Sequence, residues 1–548
     1  MKQGLSKYIP FIVSAFAAWT ILYFIFPYFK YFIDPDGTSY LTISARYATG
    51  DIAKAVNGLW SPWACWLTAL LIKKGFAAIP ASIIVNAAGG TGFMLVTHSL
   101  FLRFRISDWA QWCLNIAMGV FLSFAVFWQT FDDLWQAFFM LLILRMLLID
   151  DFIRKPYLWI AIGMVGALSY FSKAYTIPFF VLSTTCCSLL LTRGSIVTTF
   201  RIMAVSVTVM LVCSFPWLYM LHQKYEIWTT STAGALNMSW YLLGHPEWKE
   251  KIDILLPPLY PDSPYYWEDP YVLNGHLTHF WDSWHFFGLQ ILRFGYNCFI
   301  LLICMLELSV FFPIVTGYML YRLIFQRRSG DLAIDEKVLY ATCLLLPAGY
   351  ILVHLESRYL WYMIPMTMIA AVYFLQQKLM TDVKKQKMAI AILALSFCVF
   401  PVWQLKKLYR EGEKEYRFAR VLNQSGFKGI DMISNLHPRS LSKICYFSGN
   451  SFYVISKQKL EKGITDLSKE KTINTETLVK EINRYKVDYY LHIPQSSGKL
   501  MNPGFYDLFY ENLKDSTGVI DLTPVVADRE SGITLYKIER EKLVNDQP

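Results

Sequence analysis

The strongest constraint on this chain is the repetition of long apolar segments between residues 8 and 405. Each segment holds about 17–25 residues, enough for a helix to cross ~30 Å of hydrocarbon. A spanning backbone must satisfy its own hydrogen bonds, so helices are the expected form. The sequence predicts eleven spans, near 8–29, 79–102, 109–129, 134–150, 157–173, 175–192, 202–221, 297–321, 338–354, 359–376 and 388–405.

The composition supports the same class of protein. Hydrophobic residues make up 55% of the 548 residues and charged residues only 17%, which excludes a soluble protein of this size. The first apolar segment is long and lacks a small-residue cleavage site, so we expect it to remain as an anchor. Ten cysteines are scattered without a C-x-x-C pair, which indicates neither a disulfide framework nor a zinc site.

Basic residues set the expected orientation, because short cytoplasmic loops collect Lys and Arg. Such residues fall on alternate span boundaries, at Lys2 and Lys7, Arg103 and Arg105, Arg154 and Lys155, Arg193 and Arg201, Arg322, Arg327 and Arg328, and Lys378, Lys384, Lys385 and Lys387. We therefore expect an inner-membrane protein with a cytoplasmic N-terminus. The net charge of +10 follows from anchoring to anionic lipid and does not indicate nucleic-acid binding.

One apolar segment, 60–76, is not counted as a span. It is short, is interrupted by Pro62 and ends in Lys73 and Lys74. As a span it would move every later basic cluster outside, so we interpret it as an interfacial helix.

This orientation leaves three segments outside the membrane, the loops near 30–78 and 222–296 and the C-terminal part. We expect a transmembrane region over 1–405 and an extracytoplasmic α/β domain over 406–548, large enough to bury a small core. Within it, helices are predicted at 409–422 and 476–484 and β-like runs at 429–434, 444–447, 452–455 and 487–493.

Acidic residues stand at the outer ends of predicted spans. Asp34 and Asp36 follow the first span, and Asp132 and Asp133 precede the fourth. Charges at a membrane border are costly unless paired or solvated, so acids repeated on one face suggest a shared site. For Asp132 and Asp133 a helix-capping role is equally plausible. For Asp34 and Asp36 we favour function, because a helix predicted over 38–49 has its own cap at 38 or 39.

A third polar cluster, residues 354–359, lies between the ninth and tenth spans. Arg358 offers a planar fork that suits a lipid phosphate at headgroup depth. The alternative is a local pair with Glu356, with Tyr359 as an ordinary interfacial aromatic. Lys173, at the outer end of the fifth span, is a second phosphate candidate, and simple snorkelling is its alternative.

The second outer loop is rich in His, Trp and Tyr. His276 and His279 have a spacing that could bind a divalent metal if a carboxylate joined them, yet the pair alone is weak and ordinary loop histidines are the simpler interpretation. The aromatic stretch 264–270 suits either stacking on sugar rings or resting on lipid headgroups.

With these residues in place, the chain resembles the GT-C superfamily of polyprenyl-phosphate-sugar-dependent glycosyltransferases, particularly the branch of protein O-mannosyltransferases and the lipid A aminoarabinose transferase. The resemblance covers about residues 8–405, and the bacterial subset is the most similar. It rests on Asp34-Pro35-Asp36 with Tyr40 and Arg46, on Asn57-Gly58-Leu59-Trp60-Ser61-Pro62, on Asp132-Asp133, and on Glu356-Ser357-Arg358-Tyr359 with Pro365.

The resemblance implies transfer of a hexose or pentose from polyprenyl phosphate to a hydroxyl of a glycan, lipid or protein acceptor outside the membrane, with inversion. A first-loop acid would be the general base, and we favour Asp34 because it lies nearer the first span. Asp132 or Asp133 would orient the acceptor or support a divalent metal, the one cofactor implied. The donor phosphate would meet cations, so its implied contacts are Arg358, Lys173, Arg293, Glu356 and Tyr359.

Two other classes remain open. A transporter or flippase for lipid-linked sugars normally places ionisable residues near mid-membrane, whereas charges within these spans are few, mainly Arg145 and Glu307. A non-catalytic membrane scaffold would tolerate Asp34→Ala.

Overall fold

The computed structural model describes residues 6–128, 132–243, 255–273, 277–325, 332–376, 382–434, 438–455, 475–492 and 521–539. The chain divides into two compact units. The first, here called the membrane unit, comprises Met1–Lys30, Ser44–Gly244 and His279–Tyr409. The second unit comprises Tyr31–Ile43, His245–Thr278 and Arg410–Pro548, so segments of both long outer loops group with the C-terminal part.

Helices form most of the described chain. Up to the second long loop they are α1 Ile9–Phe29, α2 Pro35–Thr49, α3 Ile52–Ala55, α4 Pro62–Lys73, α5 Ala78–Arg103, α6 Asp108–Ala125, α7 Asp133–Leu147, α8 Pro156–Ser172, α9 Thr176–Leu191, α10 Ile196–Tyr225 and α11 Ala233–Asn237. The rest are α12 Trp284–Leu308, α13 Phe312–Phe325, α14 Ile334–Leu345, α15 Pro347–Val353, α16 Met363–Phe374, α17 Val383–Leu408, α18 Glu413–Gln424, α19 Pro438–Ser448 and α20 Thr475–Tyr485.

Six apolar helical stretches are long enough to cross a membrane, counted over the described ranges: Ile9–Phe29, Ala78–Arg103, Ile196–Tyr225, Trp284–Leu308, Ile334–Val353 and Val383–Gln424. Shorter apolar helices are Pro156–Ser172, Thr176–Leu191, Phe312–Phe325 and Met363–Phe374. The prediction of a polytopic helical membrane protein is confirmed, while the number eleven stays a prediction. Segment 60–76 forms the 12-residue helix Pro62–Lys73, shorter than a span requires.

The predicted span 297–321 is wrong, because two helices replace it. Helix α12 ends at Leu308, and Ser309 is extended with φ −168° and ψ 140°. The Ser309 hydroxyl accepts a hydrogen bond from the Phe311 amide at 3.2 Å, a local bond that competes with the helical one. The next helix then begins at Phe312, with a proline in its first turn where no amide donor is needed.

Close helix packing fixes the start of α7, where the second acidic pair lies. A Cβ on Gly89 of α5 would lie 2.8 Å from the indole of Trp135, so only glycine lets the two helices approach this closely. The Trp135 indole N–H donates to the Val85 carbonyl at 3.2 Å. The first turn of α7 is therefore held at a defined position against α5.

The second unit contains a five-stranded mixed sheet in the order β3-β2-β5-β7-β6. Strands β3 Ser451–Phe452, β2 Asp431–Ser434 and β5 Tyr489–His492 are parallel, and β7 Thr534–Glu539 and β6 Asp521–Ala527 continue antiparallel. A two-stranded pair joins β1 Leu255–Leu256 of the long loop to β4 Val454–Ile455. This confirms a small α/β region in the C-terminal part of the chain.

One predicted β-run of this unit is wrong. Residues 444–447 lie in helix α19, Pro438–Ser448. Leu441, Ile444, Cys445 and Ser448 are buried, which is a helical spacing that a four-residue window does not reveal. The core they join also includes Phe418, Met432, Phe452 and Leu535.

Gly412 connects the first outer segment to this unit. Its φ of +87° lies in the left-handed region, and a Cβ there would collide with the Tyr31 carbonyl oxygen. The ring of Tyr31 also lies 4.8 Å from that of Tyr416. Tyr31, three residues before Asp34, is thus packed against the start of α18.

Candidate functional site

A partly buried cluster of opposite charges lies in the membrane unit. The Asp133 side chain is only 1% exposed, and its Oδ1 lies 2.5 Å from Lys173 Nζ. Its other oxygen, Oδ2, lies 3.8 Å from Arg358 Nε. Because a buried charge without a counter-ion costs about 3–5 kcal/mol, these three groups depend on each other.

Glu356 holds Arg358 from the other side. Its Oε2 lies 2.8 Å from Arg358 Nε, and its Oε1 accepts from Arg358 Nη2 at 3.2 Å. Partial burial would by itself raise the pKa of Glu356, but the charge of Arg358 and a hydrogen bond from His354 outweigh it and lower that pKa to about 2. Glu356 is therefore ionised at any physiological pH. The local pair considered as an alternative exists, and it is one part of a larger network.

The ring of Tyr359 makes cation–π contacts with both Lys173 and Arg358. Lys173 Nζ lies 4.1 Å from the centre of its ring, and Arg358 Cζ lies 5.3 Å from it. Tyr359 also stacks on Tyr350, with centroids 4.4 Å apart. Burial raises the pKa of Tyr359, so the phenol is neutral and contributes its ring face.

Arg293 of α12 reaches the same region. Its Nε donates to the Val353 carbonyl at 3.1 Å, and its Nη2 lies 3.3 Å from His354 Nδ1. The guanidinium also lies over the rings of Tyr241 and Tyr296, 5.7 and 5.2 Å from their centres. Among the residues that the structure describes, no carboxylate pairs with Arg293. Within the described ranges, Lys173 and Arg358 therefore have carboxylate partners and Arg293 has none.

Two further side chains of α12 help to hold the loop that carries Arg358. Asn297 Nδ2 donates to the Ile351 carbonyl at 2.7 Å, and Gln290 Nε2 donates to the Leu352 carbonyl at 2.6 Å. With Arg293 they satisfy three of the last carbonyls of α15, which have no partner within their own helix. A cation is favourable there because the C-terminal end of a helix is partially negative.

Asp132 has a different role from its neighbour. It is 2% exposed, and its Oδ1 accepts from the Ala64 amide at 3.1 Å. Ala64 lies in the first turn of α4, where amides lack helical partners. Asp132 thus caps another helix and not the one it precedes.

The first-loop acids belong to the second unit. Asp34 is 4% exposed, and its Oδ1 accepts from the Gly37 amide at 2.7 Å. Helix α2 starts at Pro35, earlier than predicted, so Asp34 is its cap. The expectation that residue 38 or 39 supplies the cap is wrong, because Thr38 instead donates to the Pro35 carbonyl at 2.7 Å.

Asp36 has a more open environment. Its side chain is partly exposed, and its Oδ1 accepts from the Trp267 indole N–H at 3.0 Å. Next to it Tyr265 is buried and stacks on Phe452 with centroids 4.8 Å apart, while Tyr266 and Trp267 are only partly buried. The aromatic stretch therefore anchors Tyr265 in the core and places the Trp267 ring beside Asp36.

Metal ligands are few in the described ranges. His276 lies outside them, and His279 Nδ1 is 3.7 Å from Asp282 Oδ2. No group of three or more His, Cys, Asp or Glu side chains that could hold a metal occurs within those ranges. Two donor atoms are fewer than protein zinc sites use.

Comparison with solved structures identifies the fold of this chain. No family model and no curated protein matches the sequence. The crystal structure of apo ArnT from Cupriavidus metallidurans matches with a TM-score of 0.55 and 13% identity over 96% of this chain and 97% of ArnT. The same ArnT bound to undecaprenyl phosphate matches with a TM-score of 0.54 and 12% identity, over 97% and 98%. The chain has the ArnT fold. The resemblance to GT-C proteins is thereby confirmed at the level of fold.

Within this ArnT fold the predicted phosphate contacts come together. The structure gathers Lys173, Arg293, Glu356, Arg358 and Tyr359 with Asp133 in the membrane unit, and it places Asp34 and Asp36 in the second unit. Sequence reasoning missed three side chains of the network, Tyr241, Gln290 and Asn297. It included His354 in the polar cluster 354–359 but gave it no role. Polar residues at 290, 293 and 297 share one face of an otherwise apolar helix, and that spacing was the available signal.

Proposed function

We propose that this protein is an integral-membrane glycosyltransferase. It takes a hexose or pentose from a polyprenyl-phosphate donor and passes it to a hydroxyl of a glycan, lipid or protein acceptor, with inversion. The ArnT fold supports this proposal, since one ArnT structure contains undecaprenyl phosphate. The single observation that carries it is the partly buried cluster of Lys173, Arg293 and Arg358, in which no carboxylate among the described residues pairs with Arg293.

The cluster suits a phosphate leaving group. A sugar phosphodiester carries one negative charge, and cleavage of the sugar–oxygen bond creates a second. Cations fixed in place before reaction stabilise that developing charge without reorganising. Asp133 and Glu356 fix Lys173 and Arg358 in this way, while Arg293 supplies a third positive charge that no described carboxylate neutralises. Arginine forks also match phosphate oxygens in pairs.

Asp36 is the proposed general base. In this reaction the acceptor oxygen forms a bond to the anomeric carbon, the bond from that carbon to the phosphate oxygen breaks, and the acceptor proton moves to a carboxylate. Asp36 is the more exposed first-loop acid, and the Trp267 indole orients its carboxylate. Asp34 is buried and engaged as a helix cap, so we prefer Asp36 to the residue that the sequence favoured.

We also propose that the N-terminus is cytoplasmic and that the second unit lies outside the inner membrane, as the basic boundaries indicate. Cysteine substitutions at Ser425 in the second unit and Ser195 between α9 and α10 test this, since both positions are exposed. Ser425→Cys should react with an impermeant thiol reagent in intact cells, and Ser195→Cys only after permeabilisation. The reverse pattern would overturn the orientation.

Binding of undecaprenyl phosphate to the purified protein tests the phosphate site. Arg293→Gln removes the positive charge of Arg293, and we expect the dissociation constant to rise at least tenfold, the effect of losing one hydrogen bond to a charged group. Arg201→Gln is the matched control, because Arg201 is an exposed arginine of α10 away from the cluster. Equal affinity of wild type and Arg293→Gln would contradict the proposed role. Mass analysis of lipid-linked sugars and surface glycans with and without the gene would name the sugar and the acceptor.

A further inference from the structure

His354 lies between two groups of opposite charge. Its Nδ1 is 3.3 Å from Arg293 Nη2, and its Nε2 is 3.0 Å from Glu356 Oε1. A guanidinium can only donate hydrogen bonds, so Nδ1 must accept. The ring proton then sits on Nε2 and is donated to Glu356. The two neighbours together select one neutral tautomer.

The plane of the imidazole is also fixed. His354 stacks on Tyr241, with centroids 4.0 Å apart and planes only 3° from parallel. His354 also makes an edge-to-face contact with Tyr359, with ring centroids 6.5 Å apart and an angle of 83° between the ring planes. Because both ring nitrogens lie in a fixed plane, the directions in which His354 accepts and donates are fixed as well.

We propose that His354 is a positioning residue for the donor phosphate. It joins Arg293 of α12 to the Glu356–Arg358 pair, so that two guanidinium groups carried by different segments are held toward one ligand. The inference rests on the proposed function, since it concerns the same phosphate site. His354 itself need not touch the substrate.

The contacts explain what loss of the imidazole would do. Glu356 Oε1 would keep only its bond from Arg358 Nη2, and Arg293 would keep only Val353 as its hydrogen-bond acceptor among the described residues. Both long side chains would then regain rotamer freedom, which ligand binding must remove again. Weaker phosphate binding would follow, with little change in the fold.

Two substitutions separate hydrogen bonding from ring packing. His354→Gln keeps one donor and one acceptor, whereas His354→Phe keeps a flat ring for Tyr241 and loses both bonds. We expect His354→Phe to raise the dissociation constant for undecaprenyl phosphate roughly tenfold and His354→Gln to stay within about threefold of wild type. Thermal melting of the purified variants should remain close to that of wild type.

The outcomes are distinguishable. If wild type fails to bind undecaprenyl phosphate, the proposed function itself is wrong. If wild type binds and His354→Phe binds equally well, the positioning role is wrong. Equal losses in both variants, accompanied by lower melting temperatures, would make His354 a packing residue and would also refute the inference.

Discussion

Asp132 and Asp133 are neighbours in the chain, yet their carboxylates bond in different directions. Asp133 pairs with Lys173 and approaches Arg358, whereas Asp132 accepts from a backbone amide of α4. A sequence shows two equivalent acids here. Only the packing of α7 decides which of them faces the cations.

Asp132→Ala should reduce the stability of the fold more than the rate of sugar transfer. The substitution leaves the buried Ala64 amide without its acceptor, and an unsatisfied buried group costs about 1–3 kcal/mol. We expect a lower melting temperature and near-normal transfer per folded molecule. If the variant melts at the wild-type temperature but no longer transfers sugar, Asp132 would instead have a catalytic role.

Glu356 should contribute to stability in a pH-dependent way. Its pKa falls from 4.5 to about 2 in the folded protein, so the folded state favours the ionised form. Its contribution is fully present above pH 4.5 and is lost as pH falls toward 2. Melting curves of wild type and Glu356→Gln should therefore differ by a constant amount above about pH 5 and converge in acid. A difference that grows in acid would contradict this account.

At the scale of elements, α12 supports the site through three polar side chains on one face. They bond the final carbonyls of α15 and so fix the loop that begins at His354. The helix is otherwise apolar and exposes large side chains such as Trp284, Leu292 and Phe299. This division of faces allows α12 to support the charged cluster on one side while its apolar side chains face outward.

Asn297→Leu should disturb that scaffold. It leaves the Ile351 carbonyl without its donor, at a cost of about 1–3 kcal/mol, and frees the end of α15. We expect lower thermal stability together with weaker binding of undecaprenyl phosphate. Cys298→Leu is the matched control, because it is the adjacent residue on α12 and is exposed. Equal behaviour of the two variants would argue against the capping role.

Sequence patterns predicted elements whose signal is local. Long apolar runs gave most of the membrane helices, since length and hydrophobicity are properties of one segment. The break at Ser309 was missed because it depends on hydroxyl bonds to Phe311 and Ser396. Strand β6 was missed because it contains Pro524, which strands tolerate only at an edge or bulge. Strand β6 meets both conditions, because it is the edge strand of the sheet and its pairing register shifts, as at a bulge, between Pro524 and Val526.

At the scale of the whole molecule, the sequence predicted the fold class and the types of residue in the candidate site. Lys173, Arg293 and Arg358 were chosen as cations near a membrane border, and the structure gathers them. It could not show which cations pair with Asp133 and Glu356, because these ion pairs join residues from distant segments. It favoured Asp34 because that residue lies nearer the first span, whereas the Asp34 carboxylate proves to be a helix cap.

The most direct test of the central claim is sugar transfer from a purified polyprenyl-phosphate donor by wild type, Asp36→Asn and Asp34→Asn. Asn cannot accept the acceptor proton, so Asp36→Asn should lose roughly 10²–10⁴-fold in turnover, the usual contribution of a general base. Asn remains a good helix cap, so Asp34→Asn should stay within a few-fold of wild type, with all three proteins equally folded by thermal melting. Wild-type turnover by Asp36→Asn would contradict the account.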